Sequence, residues 1–197
     1  NGFRLGSAAI VGQTLNIDTD AARSTLAPIR PTTTGLMLFT GYAGATGRPF
    51  VIGRDAAFKT CLTFAIEDID GTDEFHFGFR RAEPGNGTFD NYLDLASIGC
   101  TTAADPMAIK LETINDNAAT TTTDTTNTLQ DATTTTWCVL VSAAGAVTYT
   151  IDGAAPTATA AFSFDDGDPV VPFLDYLQAT ALTGEIDLYR WETNYQE

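Results

Sequence analysis

Two acidic residues near the end of the sequence have the spacing that glycoside hydrolysis uses. Glu185 and Asp187 lie two residues apart in a run that predicts a strand, Glu185-Ile-Asp-Leu-Tyr-Arg-Trp191. Side chains two residues apart point to the same face of a strand. A nucleophile and a general acid about 5 Å apart on such a face can flank a glycosidic bond. These two residues are therefore candidate catalytic carboxylates.

Two acidic turns gather oxygen ligands of the kind that Ca²⁺ prefers. One contains Asp68 and Asp70, and the other contains Asp165, Asp166 and Asp168. Neither turn has the spacing of the twelve-residue helical calcium loop, and acidic turns are common for conformational reasons alone. We therefore expect no metal and no other cofactor, and these five aspartates are the weak calcium candidates.

The histidine and the cysteines lack the partners that catalysis or zinc binding would need. His76 is the only histidine, and no serine or cysteine stands out as its partner in a nucleophilic triad. Cys61, Cys100 and Cys138 form an odd set without the close pairs of a zinc site. We expect three small apolar fillers in strands, while one disulfide plus one free thiol remains an open alternative.

The charge and the composition exclude several classes of protein. Ten Lys and Arg stand against 25 Asp and Glu, which gives a net charge of −15. Such a charge argues against partners that are nucleic acids or anionic membranes. The 44% hydrophobic content argues against a disordered acidic tail. The 33 threonines favour strands, so we expect one soluble all-β domain.

Alternating apolar and polar residues predict antiparallel strands with one buried face. In residues 58–69 the apolar side chains alternate, and in Phe75-His-Phe-Gly-Phe-Arg80 three phenylalanines point one way. His76 is therefore expected on the opposite, half-exposed face. A hairpin is predicted at 137–151, around Ala144-Gly145. The threonine-rich segment 118–136 is expected to be a surface loop beside a polar edge strand, and a short helix is expected near 175–180.

The first 35 residues differ from the remainder of the chain. They contain Pro28-Ile-Arg-Pro-Thr-Thr-Thr34, a segment that favours an extended conformation. We interpret residues 1–35 as an extended arm or as a first strand with long connections. Residues 36–197 are predicted to form the β-sandwich.

The predicted hairpin resembles the late hairpin of concanavalin A-like jelly-roll domains, in which the second strand closes on Asp-Gly. Here that sequence is Trp137-Cys-Val-Leu-Val-Ser-Ala-Ala-Gly-Ala-Val-Thr-Tyr-Thr-Ile-Asp-Gly153. Phe162-Ser-Phe164, the acidic turn after it and the last strand through Trp191 fit the same domain. The resemblance implies an antiparallel jelly-roll β-sandwich over residues 55–195.

The resemblance argues against catalysis by the acidic pair. Laminarinase-like β-glucanases share the jelly roll and carry Glu-[Ile/Val]-Asp-x-x-Glu, whereas Tyr189 or Arg190 stands here where the third carboxylate is needed. Glu192 falls outside the register. We therefore expect a protein that is not an enzyme. Jelly rolls of this kind also occur in lectins and in virion proteins of tailed bacteriophages.

The sequence leaves two hypotheses for the function of the protein. The first hypothesis is a structural phage protein that decorates the capsid on the virion surface, binds the major capsid protein or another virion protein, and is a homo-oligomer, frequently a trimer in such settings. The alternative is a secreted, soluble carbohydrate-binding module. Its predicted partner or glycan contacts are Trp137, Tyr189, Trp191 and Tyr195, although core packing explains these aromatics equally well. In the last strand, Tyr189 and Trp191 are expected to alternate outward from the buried Ile186 and Leu188.

Overall fold

The computed structural model describes residues 15–17, 28–31, 35–40, 49–70, 75–83, 89–101, 105–178 and 186–196. Within these ranges the strands are β1 (Leu15–Ile17), β2 (Pro28–Pro31), β3 (Gly35–Thr40), β4 (Phe50–Val51), β5 (Phe58–Ile66), β6 (Phe75–Arg81), β7 (Leu95–Cys100), β8 (Met107–Ile114), β9 (Thr121–Leu129), β10 (Thr135–Val141), β11 (Val147–Ile151), β12 (Pro169–Gln178) and β13 (Ile186–Tyr195). A short 3₁₀ helix spans Phe89–Asn91. In these ranges no helix has the length and apolar character needed to span a membrane.

The strands form two antiparallel sheets. As far as the described residues go, one sheet has six strands in the order β1-β2-β13-β5-β10-β11. The other has seven, in the order β3-β12-β6-β7-β8-β9, with β4 paired to β12. This arrangement confirms the predicted all-β antiparallel sandwich. The hairpin predicted at 137–151 is present as β10 and β11.

The core lies between the two sheets because the inward residues of each strand are large and apolar. Phe75, Phe77 and Phe79 of β6 all have no exposed surface, as the alternation predicts. From the six-stranded sheet, Trp137 stacks on Phe75 with ring centroids 5.4 Å apart, and it meets Phe64 edge-on at 4.7 Å. Burial of these rings supplies the main driving force for bringing the sheets together.

Two glycines allow β6 and β7 to approach each other closely. A Cβ atom at Gly78 would lie 2.1 Å from the carbonyl oxygen of Ala96, and one at Gly99 would lie 2.0 Å from that of Phe75. Real Cβ contacts are never so short, so any larger residue at either position would push the two strands apart.

A β-bulge in β13 changes which side chains face the core. The pairing of β13 with β5 shifts between Leu188 and Arg190, so Leu188 lies opposite Phe64 and Trp191 lies opposite Leu62. Leu62 and Phe64 point inward, and both Leu188 and Trp191 pack against the core. The prediction that Trp191 alternates outward from Leu188 is therefore wrong, because the extra residue of a bulge reverses the alternation beyond it.

The expectation that all three cysteines are separate apolar fillers is also wrong. Cys61 on β5 and Cys138 on β10 lie directly opposite each other and form a disulfide. They are separated by 77 residues in sequence, so strand spacing alone does not reveal that the two positions are paired. Cys100 is buried and takes no part in this disulfide, as the filler interpretation expects.

Three further predictions can be compared with the structure. No helix begins near 175, because β12 continues as a strand to Gln178. In the threonine-rich segment, residues 121–129 form the predicted polar edge strand as β9, and residues 118–120 and 130–134 lie outside the strands. Within the predicted arm, β1 and β2 pair with each other and β2 pairs with β13, which fits the alternative of a first strand with long connections. The remaining residues before 35 lie outside the described ranges, and the domain boundary there stays a prediction.

Candidate functional site

The face of the seven-stranded sheet that points away from the core carries an unusual set of polar side chains. In the antiparallel register, Asp175 lies opposite His76, and two residue pairs further on Phe173 lies opposite Gly78. Directly paired residues point to the same face of a sheet, so these positions share the outer face. The polar members of this face with little or no exposure are His76, Arg80, Ser97, Glu112 and Asp175. We call these five residues the polar cluster.

A segment between β6 and β7 covers the polar cluster. Its 3₁₀ helix places the ring of Phe89 on the imidazole of His76, with centroids 4.0 Å apart and planes inclined by 26°. Tyr92 packs with Leu95 and Phe173 in a second, smaller apolar group on this outer face. The end of the segment is held where the backbone N–H of Arg81 donates to the carbonyl of Asp94 at 2.8 Å. The sequence alternation places His76 on this face, but the expectation of half exposure is wrong, since only 5% of the residue is exposed.

Arg80 holds the covering segment in place through hydrogen bonds and a cation–π contact. Its Nη1 donates to the carbonyl oxygens of Arg81 at 3.0 Å and Glu83 at 2.9 Å. Its guanidinium carbon lies 4.8 Å from the centre of the Tyr92 ring, which is a cation–π contact. Burial lowers the pKa of Arg80, opposed by Tyr92, Glu83 and Asp175, yet an arginine stays protonated at any pH at which proteins are folded.

His76 is neutral in the folded protein. Desolvation by burial lowers its pKa from 6.5 to about 3, while the negative charge of Asp90 opposes this shift. Its Nδ1 lies 3.4 Å from Glu112 Oε2, but the geometry is not that of a hydrogen bond, and Nδ1 has no hydrogen-bond partner among the described residues. The ring therefore serves as a flat, uncharged support for Phe89.

The burial of His76 predicts a loss of stability in mild acid. The unfolded chain binds a proton at His76 below about pH 6.5, whereas the folded chain does so only near pH 3, so stability falls as the pH drops through this window. The slope is about 1.4 kcal/mol per pH unit, or about 2 kcal/mol between pH 7 and pH 5. Urea unfolding at both pH values, on wild type and on His76→Gln, isolates this contribution. An equal pH dependence in both proteins would contradict the assignment.

Next to the polar cluster lies a group of further polar side chains, which we call the polar rim. Its members are Asp90, Lys110, Thr120, Thr122 and Asp124. Lys110 Nζ lies 2.5 Å from Asp124 Oδ2, and the hydrogen bond from Lys110 is the main reason that the pKa of Asp124 is lowered. The hydroxyl of Thr122 donates to Glu112 Oε1 at 2.8 Å. Across from them, the hydroxyl of Thr120 donates to Asp90 on the 3₁₀ helix. The half-buried ring of Phe89 thus stands among carboxylates and hydroxyls, a combination suited to a polar ligand with apolar faces.

The four predicted aromatic contacts lie on the six-stranded sheet and do not form one surface. Trp137 has no exposed surface, so it belongs to the core and cannot contact a glycan. Trp191 is half-buried, and its indole N–H donates to the hydroxyl of Thr60 at 2.8 Å. Tyr189 is the half-buried extra residue of the bulge. Tyr195 is 50% exposed and meets Phe50 edge-on at 5.5 Å.

The predicted acidic sites are not assembled either. Asp68 and Asp70 precede β6, while Asp168 lies at its other end, 3.7 Å from Arg81. Asp70 accepts a hydrogen bond from the backbone N–H of the distant Asp105, and Asp168 accepts one from the backbone N–H of Asp165 in its own turn. Asp165 and Asp166 are exposed. Within the described ranges no three acidic, histidine or cysteine side chains are grouped as a metal site would require. Asp187 is buried in β13, and its predicted partner Glu185 lies outside the described residues.

Comparison with known proteins identifies the architecture. The carbohydrate recognition domain of Emp46p superposes with a TM-score of 0.67 at 9% identity, covering 93% of this chain and 86% of that one. The legume lectin-like domain from Entamoeba histolytica gives 0.61 at 10% identity, covering 99% and 90%. The chain has a concanavalin A-like jelly-roll fold. No protein-family model and no curated protein matches the sequence.

The same jelly roll also serves enzymes. The alginate lyase PA1167 from Pseudomonas aeruginosa superposes with a TM-score of 0.54 at 13% identity, covering 98% of this chain and 86% of that one. At such identities the likeness establishes the fold and leaves the activity open. None of these three structures is described as a virion protein, so the capsid-decorating role, its partner protein and its oligomeric state stay predictions.

Proposed function

We propose that the chain is a non-enzymatic carbohydrate-binding module, and that its glycan lies on the outer face of the seven-stranded sheet beside Phe89. The observation that carries the proposal is the half-exposed Phe89 ring, held flat on the neutral imidazole of His76 and bordered by the polar rim. A sugar ring offers apolar C–H faces and a girdle of hydroxyls. An aromatic ring surrounded by a few polar groups is complementary to both.

Similarity to carbohydrate recognition domains supports this proposal over the capsid role. The matched structures of Emp46p and Emp47p are described as carbohydrate recognition domains. The Emp47p domain superposes with a TM-score of 0.58, at 12% identity, over the whole of this chain.

The burial of His76 supports binding without catalysis. A general base must come within about 2.6 to 3.2 Å of the proton that it removes. His76 is covered by Phe89 on one ring face and has only 5% of its surface exposed. A polysaccharide therefore cannot reach the imidazole while Phe89 is in place. We expect no unsaturated product when the protein is incubated with alginate or other polysaccharides.

The disulfide supports a location outside the reducing cytosol. Disulfides persist in secreted proteins and are rare in cytosolic ones. The pair Cys61–Cys138 joins two central strands of the six-stranded sheet. A secreted module is therefore the favoured setting for the proposed glycan binding.

Replacing Phe89 by alanine should weaken glycan binding about tenfold or more, because the stacking platform is lost. Affinity electrophoresis against a panel of immobilised polysaccharides, followed by calorimetry on the best ligand, measures the change. Tyr195→Ala is the matched control, since Tyr195 is the exposed aromatic of the opposite sheet.

The two variants show which of the two sheets binds the glycan. Binding that survives Phe89→Ala and is lost in Tyr195→Ala would move the site to the six-stranded sheet. Wild-type protein that binds no polysaccharide in the panel would refute the proposed function. Circular dichroism on each variant confirms that the fold is retained.

A further inference from the structure

The charged groups around Phe89 are mostly negative. The described carboxylates on or beside the outer face are Glu83, Asp90, Asp94, Glu112, Asp124 and Asp175. The described cations of the same region are Arg80, Arg81 and Lys110. Residues 84–88, which lie outside the described ranges, read Pro-Gly-Asn-Gly-Thr and carry no charge. The region therefore has an excess of negative charge, in agreement with the net charge of −15 for the chain.

None of these cations is free to bind an anionic ligand. Arg81 is paired with Asp94 at 3.3 Å and with Asp168 at 3.7 Å. Lys110 is held by Asp124 at 2.5 Å. Arg80 has 1% of its surface exposed, and its Nη1 donates to two carbonyl oxygens of the covering segment. A carboxylate on a bound sugar would thus find no available cation, while it would lie among like charges. At physiological salt, charges interact over about 8 Å, so groups on one sugar ring feel the whole rim.

A second observation points to a ligand with a hydrogen-bond donor. Glu112 is buried to more than nine-tenths, and its Oε1 accepts from the exposed Thr122, at the border between cluster and rim. Its Oε2 lies 3.4 Å from His76 Nδ1, and because Phe89 covers the imidazole, Glu112 rather than His76 is the group that a ligand would meet. A protonated amine beside Glu112 would form a charge-assisted hydrogen bond, the strongest kind available at this face.

We propose that the glycan bound beside Phe89 carries protonated amines, as in glucosamine polymers, and that uronate polymers are rejected. This inference rests on the proposed glycan-binding function and names the class of its ligand. The amine would lie between Asp90 and Glu112, while the apolar face of the sugar stacks on Phe89. The carboxylates of a uronate polymer would be repelled by the same residues.

The test compares oligosaccharides that have one backbone and different charge. Glucosamine, N-acetylglucosamine and glucose oligomers of equal length are titrated into the full chain by calorimetry, together with oligoalginate. We expect the glucosamine oligomer to bind about tenfold more tightly than the N-acetylated one at low salt. This preference should shrink as salt is raised. Asp90→Asn should reduce the preference, whereas Asp166→Asn, which removes an exposed carboxylate in a distant turn, should leave it intact.

The outcomes separate this inference from the proposed function. An amine preference that is sensitive to salt and to Asp90→Asn supports both. Equal binding of the amine and acetyl forms, or binding of oligoalginate, overturns the inference and leaves the glycan-binding function in place. An amine preference that Asp166→Asn reduces as much as Asp90→Asn overturns the assignment of the amine to this site. Absence of any glycan binding overturns both proposals.

Discussion

Replacing Trp137 by alanine should lower the free energy of unfolding by about 3 to 5 kcal/mol. The indole has no exposed surface and connects the two sheets, since it belongs to β10 and stacks on Phe75 of β6. Alanine would leave a cavity at this contact and would remove the aromatic pairs with Phe64 and Phe75. Urea unfolding monitored by circular dichroism measures the change.

Two variants test the reason for this loss. Trp137→Phe should cost much less than alanine, because a ring is kept and because the indole N–H has no hydrogen-bond partner among the described residues. Tyr195→Ala should have a smaller effect than Trp137→Ala, because half of that side chain is already exposed. A loss below about 1 kcal/mol for Trp137→Ala would contradict a central position of Trp137 in the core.

Removal of the disulfide should destabilise the protein by about 4 kcal/mol. Cys61 and Cys138 close a loop of 77 residues, and a cross-link over such a distance limits the conformations of the unfolded chain. The double variant Cys61→Ala, Cys138→Ala should therefore unfold at a lower urea concentration than wild type. Dithiothreitol should shift the wild-type transition in the same direction.

The third cysteine provides the control for the disulfide. Cys100 is buried on β7 and takes no part in the Cys61–Cys138 disulfide, so Cys100→Ala removes one core atom and leaves the cross-link in place. Dithiothreitol should still destabilise Cys100→Ala and should have no effect on the double variant. A reducing agent that leaves the wild-type transition unchanged would show that the disulfide does not form in solution.

Much of the sandwich follows from local sequence pattern. The three phenylalanines of β6, the β10–β11 hairpin and the Asp152-Gly153 turn that follows β11 are found where the alternation and the turn residues predict them. Both turn residues have positive φ, 51° at Asp152 and 82° at Gly153, which Asp-Gly sequences favour. These features depend on residues that are close together in the sequence, so the sequence pattern alone predicts them.

The candidate site was only partly predictable. The alternation in β6 puts His76 and Arg80 on the face opposite the phenylalanines, and the structure agrees. The same pattern does not reveal that Phe89 and Tyr92 fold back over this face and bury both residues. Nor does the pattern show that Glu112 and Asp175 lie on the same face as His76. These residues lie on other strands, and the strand order of the sheet places them there.

In the last strand, the alternation of side chains no longer predicts which of them face the core. The sequence by itself determined that this is an acidic all-β protein with paired strands, because composition and period-two patterns are local properties. Only the tertiary structure decided that a bulge turns Trp191 toward the core, that Cys61 meets Cys138, and that the polar cluster lies under Phe89. Each of these depends on which distant strands become neighbours, and that choice is made by packing of the whole sandwich rather than by any single segment.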